Sequence, residues 1–108
     1  MNEKVLGKIT KAEYGKYPGY EYLIGLELRF AFEGSTVGCG GKYMVNMSSE
    51  CKWSEDERYG AIVKSVEHIN QILNDAKVHY ISELVGKPVE IEIQGSLFKG
   101  FRILTEVL

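Results

Sequence analysis

The first candidate for chemistry is a glycine-rich stretch, residues 34–41, in which half of the residues are glycine. Successive backbone N–H groups in such a turn can point into one concavity and bind an anion such as phosphate. The stretch ends in Gly40 and Gly41, and Lys42 is followed by Tyr43, so the Gly-Lys-Ser/Thr ending of a P-loop is missing. A strand pattern follows where a dinucleotide fingerprint needs a helix. Two interpretations stand, an anion-binding loop and a plain hairpin tip.

Tyrosines flank this stretch, and each offers a flat apolar face and a polar tip that suit base stacking or a protein partner. Tyr22 is in phase with the buried side of a strand and is predicted to be core, whereas Tyr17 and Tyr20 fall in or beside a turn. Ordinary aromatic packing at a sheet edge is the alternative. The candidate ligand-binding residues are Tyr17, Tyr20, Gly38, Gly40, Gly41, Lys42, Tyr43 and Arg102.

Four cations are distributed along the predicted strands and their connections: Arg29, Lys42, Lys99 and Arg102. If they met on the outer sheet face, they would suit a phosphate ligand or an acidic protein surface. Several glutamates on the same strands dilute that field, so a mixed, solvated face is the favoured interpretation.

Metal and redox chemistry receive little support. Cys39, Cys51, His68 and His79 show neither Cys-x-x-Cys nor His-x-x-x-His spacing, so we expect no metal site. His68 is predicted to project from the polar side of a helix, away from the sheet. In a reducing compartment both cysteines are expected as thiols rather than as a disulfide.

Catalysis is not expected either. No linear pattern suggests a Cys–His or Ser–His pair with an orienting third group. Glu90 and Glu92 could act as an acid–base pair, but their alternation with apolar residues is typical of the wet side of a strand. The sequence therefore predicts a binding protein without a cofactor rather than an enzyme.

The chain is 108 residues long, with a net charge of −2 and 44% hydrophobic residues, which is typical of one folded domain spanning residues 1–108. The near-neutral charge disfavours bulk nucleic-acid binding. No apolar run reaches the ~18 residues of a membrane span. Residues 1–11 have no apolar signal-peptide core, so we expect a cytoplasmic location.

One helix is predicted over residues 54–76, and it would help to position the candidate site residues. Ser54 and Glu57 fit a capping box, in which each side chain satisfies the other's backbone N–H. Apolar residues recur at steps of three and four, which predicts one buried face. These residues are Tyr59, Ile62, Val63, Val66, Ile69, Leu73 and Ala76.

Alternation of apolar and polar residues predicts the strands, which cover residues 5–14, 20–33, 42–47, 89–94 and 97–104. The second is long enough to need a bend or bulge, and Gly25 is the natural place. The order β-β-β-α-β-β predicts the α+β class, a bent antiparallel sheet of about five strands packed on one long helix. Exposed sheet edges favour a homo-oligomer through strand-to-strand or helix-to-helix contact.

Several segments spread over nearly the whole chain resemble a family of small proteins encoded by phages and prophages. They include Ile24-Gly25-Leu26, Gly38-Cys39-Gly40-Gly41, Cys51-Lys52-Trp53, Ala76-Lys77-Val78, the run 82–90 and the run 101–107. The resemblance implies an accessory protein of a mobile element, acting in a bacterial host cell, of a kind that often binds host immune proteins or their nucleotide messengers. It supplies no residue-by-residue chemistry.

Two functions follow as hypotheses. The first is a phage counter-defence protein that sequesters a small anionic, nucleotide-type ligand, with phosphate on the glycine-rich loop and a base on Tyr17 or Tyr20. The alternative is an inhibitor or adaptor that binds a host defence protein directly through the long hairpin. A single-strand-binding accessory is disfavoured, because that binding needs a positively charged groove.

Overall fold

A computed structural model describes residues 2–39, 43–50 and 52–108, and within these ranges it contains six strands, one α-helix and two short 3₁₀ helices. The strands are β1 (Asn2–Tyr17), β2 (Tyr20–Phe32), β3 (Ser35–Gly38), β4 (Met44–Asn46), β5 (Pro88–Gln94) and β6 (Leu97–Ile103). The helix α1 spans Glu55–Ala76, and the 3₁₀ helices span Ile81–Leu84 and Thr105–Val107.

The long strand β1 pairs with a different neighbour along each half of its length. Its first half pairs antiparallel with β5, where Leu6 lies opposite Glu90, and its second half pairs antiparallel with β2, where Tyr14 lies opposite Leu26. The order across the sheet is β3-β2-β1-β5-β6, and β4 also pairs with β2. For the described residues the predicted α+β class, with an antiparallel sheet and one long helix, is confirmed, with six strands in place of about five.

One extra residue in β1 lets both halves of the strand face the core. In the pairing with β2 the register shifts between Ile9 and Lys11, which makes Thr10 the extra residue of a β-bulge. Ile9 and Ala12 are three positions apart, and a regular strand would point them to opposite faces. With the bulge, both are buried, at 0% and 7% exposure.

The strand β3 lies in a stretch predicted to be loop, and that part of the prediction is wrong. Glu33 and Gly34 have φ angles of 45° and 80°, the positive values that a type I′ hairpin turn requires. The turn returns the chain along β2, so residues 35–38 pair with residues 29–32. Pairing with β2 thus outweighs the poor strand propensity of the glycine-rich segment.

The strand β4 occupies the same edge of β2 as β3 does, farther along. It pairs antiparallel with residues 23–25 and corresponds to the strand predicted at 42–47. The predicted bend or bulge of β2 is not at Gly25, which pairs in regular register with both Gly15 and Met44. The register with β1 shifts just before it, where Ile24 lies opposite Lys16 and Tyr20 opposite Tyr17. A Cβ at Gly25 would collide with the carbonyl oxygen of Tyr43, so close approach of the backbones explains this glycine.

The helix α1 begins as predicted. Ser54 Oγ accepts a hydrogen bond from Glu57 N at 3.1 Å, and Glu57 Oε1 accepts one from Ser54 N at 3.2 Å, which forms a capping box. The helix ends at Ala76, and Lys77 adopts the left-handed conformation that closes it. Within the described ranges, no helix has the length and apolar character needed to cross a membrane.

Only part of the predicted apolar face of α1 is covered. Ile72 and Ala76 are buried, whereas Tyr59, Val63 and Val66 are 64%, 55% and 60% exposed. The prediction of one buried face is therefore wrong for these three residues. The apolar residues occupy a wider arc of the helix than a single sheet face can cover.

The core lies between α1, the first 3₁₀ helix and one face of the sheet. Its fully buried large side chains are Phe30, Ile9, Leu26, Leu28, Leu84, Ile91 and Val89. Phe30 stacks on Phe98 with ring centroids 5.4 Å apart, so the terminal hairpin closes over β2. Tyr22 is 47% exposed, so its prediction as a core residue is wrong. It lies beside Met47, which is 48% exposed, at a part of the sheet where both side chains face solvent.

Candidate ligand-binding site

A cleft with a volume of about 210 Å³ lies between α1 and β4, and we call it the helix–strand cleft. The helix wall includes Lys64, Ser65 and His68, and the strand wall includes Tyr43 and Met44. One wall therefore carries an ammonium, a hydroxyl and an imidazole, while the other carries an aromatic ring and a thioether. Such a combination suits a ligand that joins a negative group to a flat ring.

The helix period brings the polar groups of the cleft together. Lys64 and His68 are four residues apart, so they are neighbours on the surface of α1. The imidazole of His68 lies against the ring of Tyr43, with centroids 4.4 Å apart and ring planes at 51°. The prediction that His68 points away from the sheet is therefore wrong, since the helix is rotated to place it over β4.

Tyr43 is held at the mouth of the cleft by backbone and ring contacts. Its carbonyl oxygen accepts a hydrogen bond from Leu26 N at 3.4 Å, and its ring meets Phe101 edge-on at a centroid distance of 6.2 Å. Burial raises the pKa of the Tyr43 phenol well above its ordinary value, and the negative charge that the nearby Cys39 carries once it is deprotonated raises it further. The phenol is therefore neutral and able to donate a hydrogen bond at neutral pH.

Cys39 anchors the start of the stretch that leads to the cleft. Its buried Sγ accepts a hydrogen bond from Leu28 N at 3.3 Å, and its own N–H donates to the Leu28 carbonyl at 3.1 Å. Burial raises the pKa of the Cys39 thiol, and the hydrogen bond from Leu28 opposes this in part. The thiol is thus a structural group between β3 and β4 rather than a reactive one.

The Lys64 ammonium is available to an anion. The side chain is exposed at the rim of the cleft. Among the described residues, no carboxylate pairs with it. A cation beside a hydroxyl and two aromatic rings gives this side of the cleft a positive field, and the described lining residues include no acid.

Tyr17 and Tyr20, two of the predicted site residues, do lie together. Their ring centroids are 5.8 Å apart at an interplanar angle of 69°, and Tyr20 meets Tyr22 in the same edge-on way at 6.3 Å. We call these three residues, with Met47, the tyrosine end of the molecule. Tyr20 and Tyr22 are 53% and 47% exposed, so this is an open surface rather than an enclosed site.

Arg102 lies far from the tyrosine end and is paired with two carboxylates. Its guanidinium donates to both carboxylate oxygens of Glu106 at 3.1 Å and to Glu90 Oε1 at 3.2 Å. Glu90 is opposite Leu6 on β1, eleven residues from Tyr17, which is roughly 35 Å at about 3.3 Å per residue. The structure therefore brings Arg102 to two carboxylates and not to the other predicted site residues.

Of the remaining predicted residues, the structure describes only Gly38. Gly38 ends β3 half-buried, opposite Arg29. Gly40, Gly41 and Lys42 lie outside the described residues, as does Cys51. The chain enters this segment from Cys39 and leaves it at Tyr43, on the strand wall of the helix–strand cleft.

Lys64, Ser65 and His68 were missed as cleft residues, because the helix pattern assigned Lys64 and His68 to the solvent face. The available signal was the small pair Ala61 and Ser65, one turn apart on α1. Small residues one turn apart mark the side of a helix where another backbone approaches closely.

Comparison of the chain with protein-family models, with characterised proteins and with solved structures finds no match. The chemistry of the cleft and of the tyrosine end therefore carries the functional proposal.

Proposed function

We propose that the protein binds and sequesters a small anionic ligand of nucleotide type in the helix–strand cleft. The single observation that supports this proposal is the convergence of the exposed Lys64 ammonium and the Ser65 hydroxyl with the paired rings of Tyr43 and His68. The ammonium suits a phosphate oxygen, and the rings suit the flat face of a base. With the resemblance to phage proteins taken as a hypothesis, the proposal extends to a host immune messenger as the ligand.

The size of the cleft limits what it encloses. Its volume of about 210 Å³ is below the roughly 300–1,000 Å³ of typical small-molecule pockets. The cleft therefore takes one part of the ligand, a phosphate or a base, while the rest extends over the rim. Residues 35–38 of the glycine-rich stretch are paired in β3, so the predicted phosphate contact there falls to Gly40 and Gly41, which lie outside the described residues.

The first test is native mass spectrometry of protein purified gently from bacteria with active nucleotide-signalling defences. We expect an added mass that matches a nucleotide, released on denaturation with nucleotide absorbance. A panel of linear and cyclic nucleotides should then raise the melting temperature of the emptied protein. An unliganded mass together with no stabilisation by any nucleotide of the panel would overturn the proposal.

Matched lysine variants locate the site. Lys64→Ala should abolish most of the nucleotide-induced stabilisation, since removing the cation leaves the ligand phosphate without its charge partner. Lys99→Ala, which removes an exposed lysine from β6, should retain it. Equal stabilisation of both variants would place the ligand elsewhere.

A second function, an inhibitor or adaptor that binds a host defence protein, is favoured by a different observation. The tyrosine end exposes Tyr20, Tyr22 and Met47 side by side, and exposed aromatic and methionine side chains are typical anchors of protein interfaces. On this hypothesis Tyr20→Ala loses one co-purifying host protein while Tyr80→Ala, an exposed tyrosine outside this surface, keeps it. Retention of the partner by both variants would exclude the tyrosine end.

A further inference from the structure

The helix α1 carries an apolar stripe that the rest of the described chain leaves uncovered. Tyr59, Val63 and Val66 occupy successive turns and are 64%, 55% and 60% exposed. Lys64 and His68, which line the helix–strand cleft, lie on another side of the same helix. The stripe therefore has no part in the proposed ligand site.

The stripe continues along the helix with the spacing of a coiled-coil seam. From Tyr59 the steps alternate four and three through Val63, Val66, Asn70 and Leu73 to Lys77. Leu73 is half-buried against the chain's own core, and Lys77 lies just beyond the helix. This is the a/d pattern of a heptad repeat, in which two helices interlock along one line. The helical part of the seam, residues 59–73, covers about two heptads.

We propose that this seam docks a second copy of the same chain, with the two α1 helices packed antiparallel. Glu55, Asp56 and Glu57 occupy the first turn, whereas Lys77 follows the last one. Antiparallel packing places the first-turn carboxylates of one copy beside the partner's Lys77 and aligns the two helix dipoles favourably. Parallel packing would instead bring both acidic first turns together. The arrangement is isologous, so one surface serves both copies.

Gly60 removes the steric obstacle to close packing next to the stripe. A Cβ at Gly60 would meet nothing within 4 Å, so the fold of one chain does not require a glycine there. Glycine inside a helix is nonetheless unfavourable relative to alanine. A missing side chain beside the seam lets a second helix backbone approach more closely, as in other tightly packed helix pairs.

The length of the seam predicts the strength of the contact. The helical part of the seam is about 15 residues, or about 22 Å, long and about 10 Å wide, so it covers roughly 220 Å² per copy. Standard interfaces bury about 800 Å² per partner, and smaller ones are weak or transient. We therefore expect a dimer in the micromolar to millimolar range, in equilibrium with monomer.

Sedimentation equilibrium over that concentration range tests the proposal. The average mass of the wild type should rise from one chain to two. Val66→Lys should raise the dissociation constant by at least about 30-fold, as for a central interface residue. Gln71→Lys adds the same charge on the polar side of α1 and should dimerise like the wild type. A monomeric wild type, or a dimer that Val66→Lys leaves intact, would overturn the proposal, and circular dichroism confirms that each variant is folded.

A charge swap tests the antiparallel orientation. Lys77→Glu should weaken the dimer because it faces the acidic first turn of the partner, and Asp56→Lys added to it should restore much of the affinity. Restoration requires the two positions to meet across the interface. If Lys77→Glu leaves the dissociation constant unchanged, or the second change fails to restore it, the helices do not pack antiparallel.

Discussion

The ring of Tyr43 rests on the imidazole of His68, with centroids 4.4 Å apart, and this contact joins the two walls of the helix–strand cleft. Tyr43 directly follows the glycine-rich stretch, and His68 lies in the middle of α1. The same tyrosine ring reaches Phe101 on β6. Tyr43 therefore connects the candidate site to the hydrophobic core, so changes at this residue affect both stability and binding.

Truncation of Tyr43 should destabilise the fold measurably. Tyr43→Ala removes a half-buried ring and its contacts with His68 and Phe101, and we expect a loss of about 2 kcal/mol, below the 3–5 typical of a fully buried aromatic ring. Chemical denaturation measures this loss. Tyr14→Ala removes a tyrosine that is 49% exposed and should cost within about 0.5 kcal/mol. Equal losses for the two variants would contradict the role assigned to Tyr43.

Two glycines paired across β1 and β2 should respond differently to alanine. Gly15 lies opposite Gly25, but a Cβ at Gly15 meets nothing within 4 Å, whereas one at Gly25 collides with the Tyr43 carbonyl. Gly25→Ala should therefore destabilise by about 1–3 kcal/mol, the usual cost of overpacking. Gly15→Ala should be neutral or stabilise by about 0.4–1 kcal/mol. Thermal unfolding of both variants compares them, and a neutral Gly25→Ala would contradict the close backbone approach.

The pairing of Arg102 with Glu106 should appear as a pH effect. The hydrogen bonds from Arg102 lower the pKa of the Glu106 carboxyl below its ordinary value. Because the folded pKa is the lower one, the pairing stabilises the C-terminal turn above the unfolded pKa of about 4.3 and is lost as the pH falls through the folded value.

Carboxyl NMR titration measures this shift directly. Arg102→Gln should return the pKa of Glu106 to its ordinary range, while Lys99→Gln, which removes another cation of β6, should leave it low. High salt should reduce the shift because both side chains are exposed. A pKa of Glu106 that does not respond to Arg102→Gln would disprove the pairing in solution.

Cys39 should resist alkylation in the folded protein. Its Sγ is buried and hydrogen-bonded to Leu28, and burial raises the pKa of the thiol, so little thiolate is present at neutral pH. We expect labelling at least about a hundredfold slower than in the denatured chain, since the reaction needs local opening. Peptide mass spectrometry separates Cys39 from Cys51. Labelling of Cys39 as fast in the folded as in the denatured protein would show that β3 and β4 do not enclose it.

Elements specified by neighbouring residues were predictable from the sequence. The capping box of Ser54 and Glu57 depends on residues three apart, and the alternation in β2 and the terminal hairpin likewise depends on local spacing. The type I′ turn at Glu33 and Gly34 was missed, because glutamate rarely adopts a positive φ. The pairing of residues 35–38 with β2 keeps Glu33 in this conformation.

Contacts between residues that are distant in the sequence depend on the tertiary structure. Local propensity and periodicity were enough to predict one amphipathic helix and an antiparallel sheet, because both are properties of short stretches of sequence. The rotation of α1 over β4 decided that His68 meets Tyr43 and that Val63 and Val66 stay exposed. The bulge at Thr10 decided which side chains of β1 enter the core. These outcomes depend on how wide an arc of the helix one sheet face can cover, which no short stretch of sequence encodes.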